Sequence, residues 1–209
     1  MSSTENFYLF LVASLMLNLT PGNDMLYVIS RTLSSGIKGG IFSVIGVCLG
    51  CLFHIVFAVV GLSALIMKFS IAYDIIRYTG TAYLIYLGIT SLFNKNKLLA
   101  VESRNQKPAS SILITQGIIT NVLNPKVALF FIAFLPQFIN PNSEQTWAQL
   151  LGLGLWFDVQ GCLLLVVIVV SVGKANILLK NTSFWSYQKK ITGLILIGLG
   201  LNMALKGKK

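Results

Sequence analysis

Two carboxylates and a lysine stand in sequence that is otherwise apolar. Asp24 follows Asn18-Leu19-Thr20-Pro21-Gly22-Asn23, Lys126 follows Asn121-Val122-Leu123-Asn124-Pro125, and Asp158 lies in Trp156-Phe157-Asp158-Val159-Gln160. A charge in hydrocarbon costs about 2.5–3.5 kcal/mol on insertion scales, so an embedded one faces a cavity or a partner. Asp24 reads in two ways. It is a proton-coupling acid or a ligand for a cationic amine, or it is a first-turn acid that complements a helix dipole. Lys126 holds the matching place after Pro125. It could pair with Asp24, bind a substrate carboxylate, or snorkel to the interface, although its depth in the apolar run argues against snorkelling. Asp158 and the single histidine, His54, are separated by the same 104 residues that separate Pro21 from Pro125. A His–Asp proton relay is one expectation for this pair. The other is a hydrogen-bonded packing histidine. Cys48, Cys51 and His54 recur at i, i+3 and i+6, donors that suit zinc or cadmium. Successive members are offset by about 60° around a helix, so the three share a face only in part. Small cysteines also serve as packing residues.

The prolines explain why the charges sit where they do. Thr20-Pro21 and Asn124-Pro125 each place a capping side chain before proline, which predicts a helix start with proline in its first position. Within a membrane span this is a helix that halts and restarts at depth, the construction around which transporters bind cargo. The restarting end offers free N–H groups and a positive dipole to a carboxylate. The expected substrate site is therefore Thr20, Pro21, Gly22, Asn23, Asp24, Asn124, Pro125 and Lys126. Asn18 and Asn121 are read as satisfying carbonyls freed by the breaks. Phe130, Phe131, Phe134 and Phe138 read mainly as packing or lipid-facing residues.

Of the 209 residues, 55% are hydrophobic and 11% charged, where a soluble domain carries about a quarter charged residues. The uncharged run 39–67 alone exceeds the roughly 20 residues that cross a bilayer. The expected fold is therefore all-α and integral to the membrane, a single domain over 1–209 with no room for a soluble catalytic domain. Six spans are expected at about 7–29, 40–67, 70–93, 112–139, 147–171 and 190–206, the first retained rather than cleaved as a signal peptide. The net charge of +10 sits in loops between apolar runs, which suits membrane topology and not nucleic-acid binding. The cysteines lie in apolar segments and imply no disulfide framework. No serine–histidine pairing and no glycine-flanked aspartate stands out, so an enzyme is not expected.

The basic linker 94–111 divides the chain into halves of about 1–93 and 112–209. Beyond the paired breaks, Arg77-Tyr78-Thr79-Gly80 is echoed by Lys190-Ile191-Thr192-Gly193. Three spans per half is odd, so the halves would form an inverted repeat with both breaks near the midplane. Lys and Arg concentrate in connections 1–2, 3–4 and 5–6, which places both termini outside, although the basic tail dissents.

At these residues the chain resembles the LysE/RhtB family of amino-acid exporters. Leu19-Thr20-Pro21-Gly22-Asn23-Asp24-Met25-Leu26 is similar to its first-helix signature. Asn124-Pro125-Lys126-Val127-Ala128-Leu129-Phe130-Phe131, continuing to Phe134-Leu135-Pro136-Gln137-Phe138, resembles its fourth-helix signature. Gly80 with Tyr83-Leu84-Ile85-Tyr86-Leu87-Gly88 is similar to the third-helix pattern. Asn23 stands where the family usually has a second proline, which restores a backbone N–H at the first break. The resemblance implies proton-driven export of amino acids or close derivatives across a bacterial inner membrane. The partners it implies are a small zwitterion, protons and lipid, with no cofactor and with a homo-oligomer left open. The alternative reading is a soft-metal cation exporter using Cys48, Cys51 and His54.

Overall fold

The computed structural model describes residues 3–62, 108–140 and 143–175, with isolated positions between 75 and 90 and between 190 and 201. The expected third and sixth spans and nearly all of the 94–111 linker lie outside the described residues. Those described are helical, with no strand among them.

Helix α1 (Ser3–Leu19) ends at the first expected break, and α2 (Asn23–Phe57) begins beyond it. The capping differs from expectation. Thr20 does not cap α2: its hydroxyl donates back to the Met16 carbonyl at 2.8 Å, closing the end of α1. Pro21 lies in the non-helical gap and not in the first turn. Gly22, in extended backbone, is the N-cap, because the threonine side chain is already committed to the preceding helix.

The expected loop at 30–39 is reduced to one residue. Gly36, with φ 75° and ψ −176°, is the only non-helical position inside α2, a backbone region essentially confined to glycine. A Cβ on Gly40 would collide with the Thr32 hydroxyl, and one on Gly39 would lie 3.3 Å from the Arg31 carbonyl oxygen. Eight residues of straight helix span about 12 Å, so the chain must fold back at Gly36. α2 is thus a hairpin of two arms, 23–35 and 37–57, and a π-helical turn (Ala58–Leu62) extends the second arm.

Helix α3 (Ser110–Val122) leads to the second break, and α4 (Pro125–Leu129) restarts there. A π-helical stretch (Phe130–Phe134) and a 3-10 turn (Leu135–Phe138) continue it. The axis bends by 47° at the break, where proline lacks the N–H and crowds the preceding turn. Here expectation and structure agree in detail. Asn124 is the N-cap, its Oδ1 accepting from the Lys126 N–H at 3.0 Å, with Pro125 in the first turn. Helix α5 (Thr146–Ala175) closes the described fold.

Asn23–Gly61 and Thr146–Lys174 are each long and apolar enough to cross a membrane, and the bent pair 110–138 is a third if it is one span. On α5, Val159, Leu163 and Val167 are all more than half exposed. Their four-residue spacing makes one outward apolar stripe, as a lipid-facing helix requires.

Two apolar cores form inside. One joins Phe10, Ala13 and Leu17 of α1 to Ile55, Phe130, Phe131, Phe134 and Phe157, with the Phe130 and Phe157 rings stacked at 4.0 Å. The phenylalanine cluster thus serves mainly as packing. The other core joins Met25, Val28 and Ile29 of the first α2 arm to Val44 and Val47 of the second and to Leu165, Ile168 and Val169 of α5. The second arm meets α3 backbone to backbone. A Cβ on Gly46 would collide with the Ile114 carbonyl, and one on Gly117 would lie 2.8 Å from the Ser43 carbonyl oxygen. Small residues permit that approach.

Candidate functional site

The two breaks meet and exchange side chains. Helix α1 ends with carbonyl groups that its own turns satisfy only in part, the Thr20 N–H being shared between the Met16 and Leu17 carbonyls at 3.0 and 3.1 Å. Lys126, from beyond the second break, donates its Nζ to the Leu17 carbonyl at 3.0 Å and to the Thr20 carbonyl at 2.8 Å. A cation at a helix C-terminus also opposes the negative end of the dipole. Gly22 leaves room for it: a Cβ there would lie 3.3 Å from Nζ.

The reverse contact comes from Asp24, in the first turn of α2. Its Oδ2 accepts from Asn121 Nδ2 at 2.9 Å and from Asn124 Nδ2 at 2.8 Å. Both asparagines are almost fully buried. Their i, i+3 spacing puts both amides on one side of the broken helix. Asp24 therefore has its first-turn position and a polar cradle at once. No direct hydrogen bond joins Lys126 to Asp24. The expected pair is replaced by a crossed latch, in which the lysine holds one break and the carboxylate is held by the other. Lys126 still acts electrostatically on Asp24. Asp24 Oδ1 and Asn121 Oδ1 are buried without a hydrogen-bond partner.

These groups open onto a cavity of about 40 Å³ lined by Asn18, Asp24, Asn121 and Lys126 on one side and by Cys48, Cys51, Asp158 and Cys162 on another. About three waters fit such a volume. Met25, Val47 and Leu165 of one core and Val127 and Phe157 of the other complete its wall. The polar layer thus lies at the seam between the two cores. Asn18 bridges α1 to α5, donating to the Phe157 carbonyl at 3.2 Å and to Gln160 Oε1 at 3.3 Å. It ties helices together, in keeping with its structural reading.

Of the expected site residues, Asp24 and Lys126 line the cavity. Thr20, Pro21 and Gly22 shape the break behind it, and Asn124 supports Asp24 from outside the lining. Asn23 and Pro125 are exposed and are not among the lining residues. Asn121, read from the sequence mainly as a satisfier of carbonyls, is the second amide on Asp24. Its spacing from Asn124 was the available signal.

The expected His54–Asp158 relay has no hydrogen bond between its members. His54 is buried, with Nε2 3.1 Å from the Asn121 carbonyl oxygen and its ring stacked on Phe131 at 5.8 Å. Asp158 instead lines the cavity together with Cys48 and Cys51. The i, i+3, i+6 metal face also fails to assemble. Among the described residues no three of His, Cys, Asp and Glu are placed to hold a metal ion, and His54 directs its Nε2 to the Asn121 carbonyl.

Farther along, Tyr27 donates its hydroxyl to the Leu113 carbonyl at 2.6 Å, and Arg31 donates to Gln116 Oε1 at 3.0 Å. Together they clamp the first α2 arm to α3 beyond the cavity.

An uncharacterised membrane protein of Bacillus subtilis, YrhP, is 36% identical over 198 residues, covering 91% of this chain and 94% of its own. An uncharacterised membrane protein of Vibrio cholerae is 26% identical over 195 residues, covering 93% and 94%. No solved structure matches significantly. The model of the LysE type translocator family matches residues 15–207, a stretch that contains both breaks, the crossed latch and every cavity-lining side chain. The chain is a multi-pass membrane protein and belongs to the LysE type translocator family.

Proposed function

We propose that the protein is a secondary active exporter of amino acids or close derivatives, moving them out of the cytoplasm across a bacterial inner membrane in exchange for protons. The observation that carries this reading is the Asp24 carboxylate held by two buried asparagine amides beside Lys126, at the wall of a small polar cavity between two apolar cores. An embedded carboxylate is retained at a cost that a purely packing role does not require. Asp24 contacts the substrate amine or carries the exchanging proton, and Lys126 supplies the positive charge.

In the architecture proposed for this activity, six helices form two inverted three-helix repeats. α1 and the first α2 arm together make the first span. α3, α4 and their π and 3-10 continuation make the fourth. The crossed latch supports the repeat, because each break supplies the charge or amide that the other lacks. The latch keeps Lys126 and Asp24 at the cavity wall, where the amine end of a zwitterion would reach Asp24.

Asp24→Asn keeps the shape of the side chain and removes its charge. The expected result is a protein that inserts normally but shows no counterflow of amino acids in proteoliposomes. Counterflow at the wild-type rate would overturn the assignment.

A further inference from the structure

We propose that the cavity receives the ammonium group of its ligand at Asp24 Oδ1 and Asn121 Oδ1, and that a carboxylate on the ligand is dispensable. The inference deepens the export reading and rests on it for the identity of the cargo. It follows from a census of what the polar wall still has to offer.

Donors are nearly exhausted. Asn18 gives both amide hydrogens away, to the Phe157 carbonyl and Gln160 Oε1. Lys126 gives two of its three hydrogens to the Leu17 and Thr20 carbonyls. The Asn121 amide nitrogen gives one of its two hydrogens to Asp24 Oδ2, and this bond fixes the amide orientation, since the reverse would set oxygen against oxygen.

Acceptors remain. Asp24 Oδ1 and Asn121 Oδ1 are both buried and unpartnered, Asn121 is only 2% exposed, and both residues line the cavity. Buried polar atoms in native proteins are nearly always satisfied, and an exception calls for a missing partner. The partner that fits two acceptors, one of them charged, is a compact cation with several hydrogens. A primary ammonium has three.

The charge balance points the same way. The lining holds two carboxylates, Asp24 and Asp158, against one ammonium, Lys126. A ligand carboxylate would find one free hydrogen on Lys126, one on the Asn121 amide and the weak thiol donors, set against two groups of like charge. An ammonium finds attraction from both walls. Lys126 is in this view a positioning residue that holds the end of α1, and the carboxylate of an amino acid is carried along without being recognised.

The test uses the full-length protein in detergent and the cysteines already in the cavity wall. Cys48 and Cys162 are partly exposed and line the same space, so occupancy slows their alkylation by a maleimide. The slowing is 1 + [L]/Kd, about tenfold when a ligand is present at ten times its Kd. The probes are alanine, ethylamine (its decarboxylated form), N-acetylalanine and sodium chloride against a choline chloride background. We expect protection by alanine and by ethylamine, and none from N-acetylalanine or sodium. Protection by N-acetylalanine without ethylamine, by sodium alone, or by none of the four would overturn the ammonium site. Protection by alanine and ethylamine with no alanine counterflow in proteoliposomes retains the site and removes the export reading. Alanine counterflow with no protection by ethylamine does the reverse.

Discussion

Lys126→Met is the most direct test of the crossed latch, because methionine keeps the length of the side chain and deletes its donors. In the native protein Nζ makes two hydrogen bonds to the end of α1, at 3.0 and 2.8 Å. Polar side-chain bonds in membrane proteins average about 0.6 kcal/mol with a ceiling near 1.7, so two bonds contribute about 1–3.5 kcal/mol. The cation at the helix end adds about 0.3–1 kcal/mol. The expected loss is therefore about 2–4 kcal/mol, since the Thr20 carbonyl loses its donor while the Leu17 carbonyl keeps the Thr20 N–H at 3.1 Å. Reversible unfolding in mixed micelles, titrated with a denaturing detergent, reads this directly. Asp24→Asn supplies the second arm of a double-mutant cycle. In wild type the Asp24 charge lies within electrostatic reach of Lys126, and without the lysine that charge is uncompensated. Losing both should then cost less than the sum of the single losses, by about 1–2 kcal/mol within the usual range for coupled sites. A single-mutant loss below about 0.5 kcal/mol, or additivity within about 0.3–0.5 kcal/mol, would show that the two breaks do not hold each other.

Gly36→Ala meets no atom within 4 Å, so any effect comes from the backbone alone. The left-handed turn should cost about 1–3 kcal/mol in the same unfolding assay, and an unchanged midpoint would mean that the hairpin does not need this conformation. Gly117→Ala presses a methyl group against the Ser43 carbonyl and Gly46, so the yield of folded protein should fall sharply, whereas Gly152→Ala, with open space around it, should leave it unchanged. His54→Gln keeps a donor for the Asn121 carbonyl and should leave proton-driven transport intact. Loss of proton coupling in this variant would restore the relay, against which the bond of His54 to the Asn121 carbonyl argues.

How much of this could be read from the sequence depends on how local the cause is. The helix breaks were legible because proline acts on its own turn: Asn124-Pro125 caps and restarts a helix in the structure as the dipeptide predicts. Thr20-Pro21 gave the break but not its cap, since a threonine hydroxyl can serve the turn before it as well as the turn after it, and the choice made here, the Met16 carbonyl, is set by which helix end needs closing. The turn at Gly36 was expected as a ten-residue loop because charged and small residues mark loops in general, while a single left-handed glycine can reverse the chain with helix on both sides. The partners of the charges were the least legible. Asp24 and Lys126 were both expected at the site, and the obvious inference from opposite charges is a pair. The pair does not form because each group has a nearer obligation: the carbonyls at the end of α1 draw the lysine, and two amides one turn apart draw the carboxylate. That arrangement leaves each charge satisfied on one side and available on the other. For a transporter this is a more useful resting state than a closed salt bridge, since the site need not break a buried ion pair before cargo can enter.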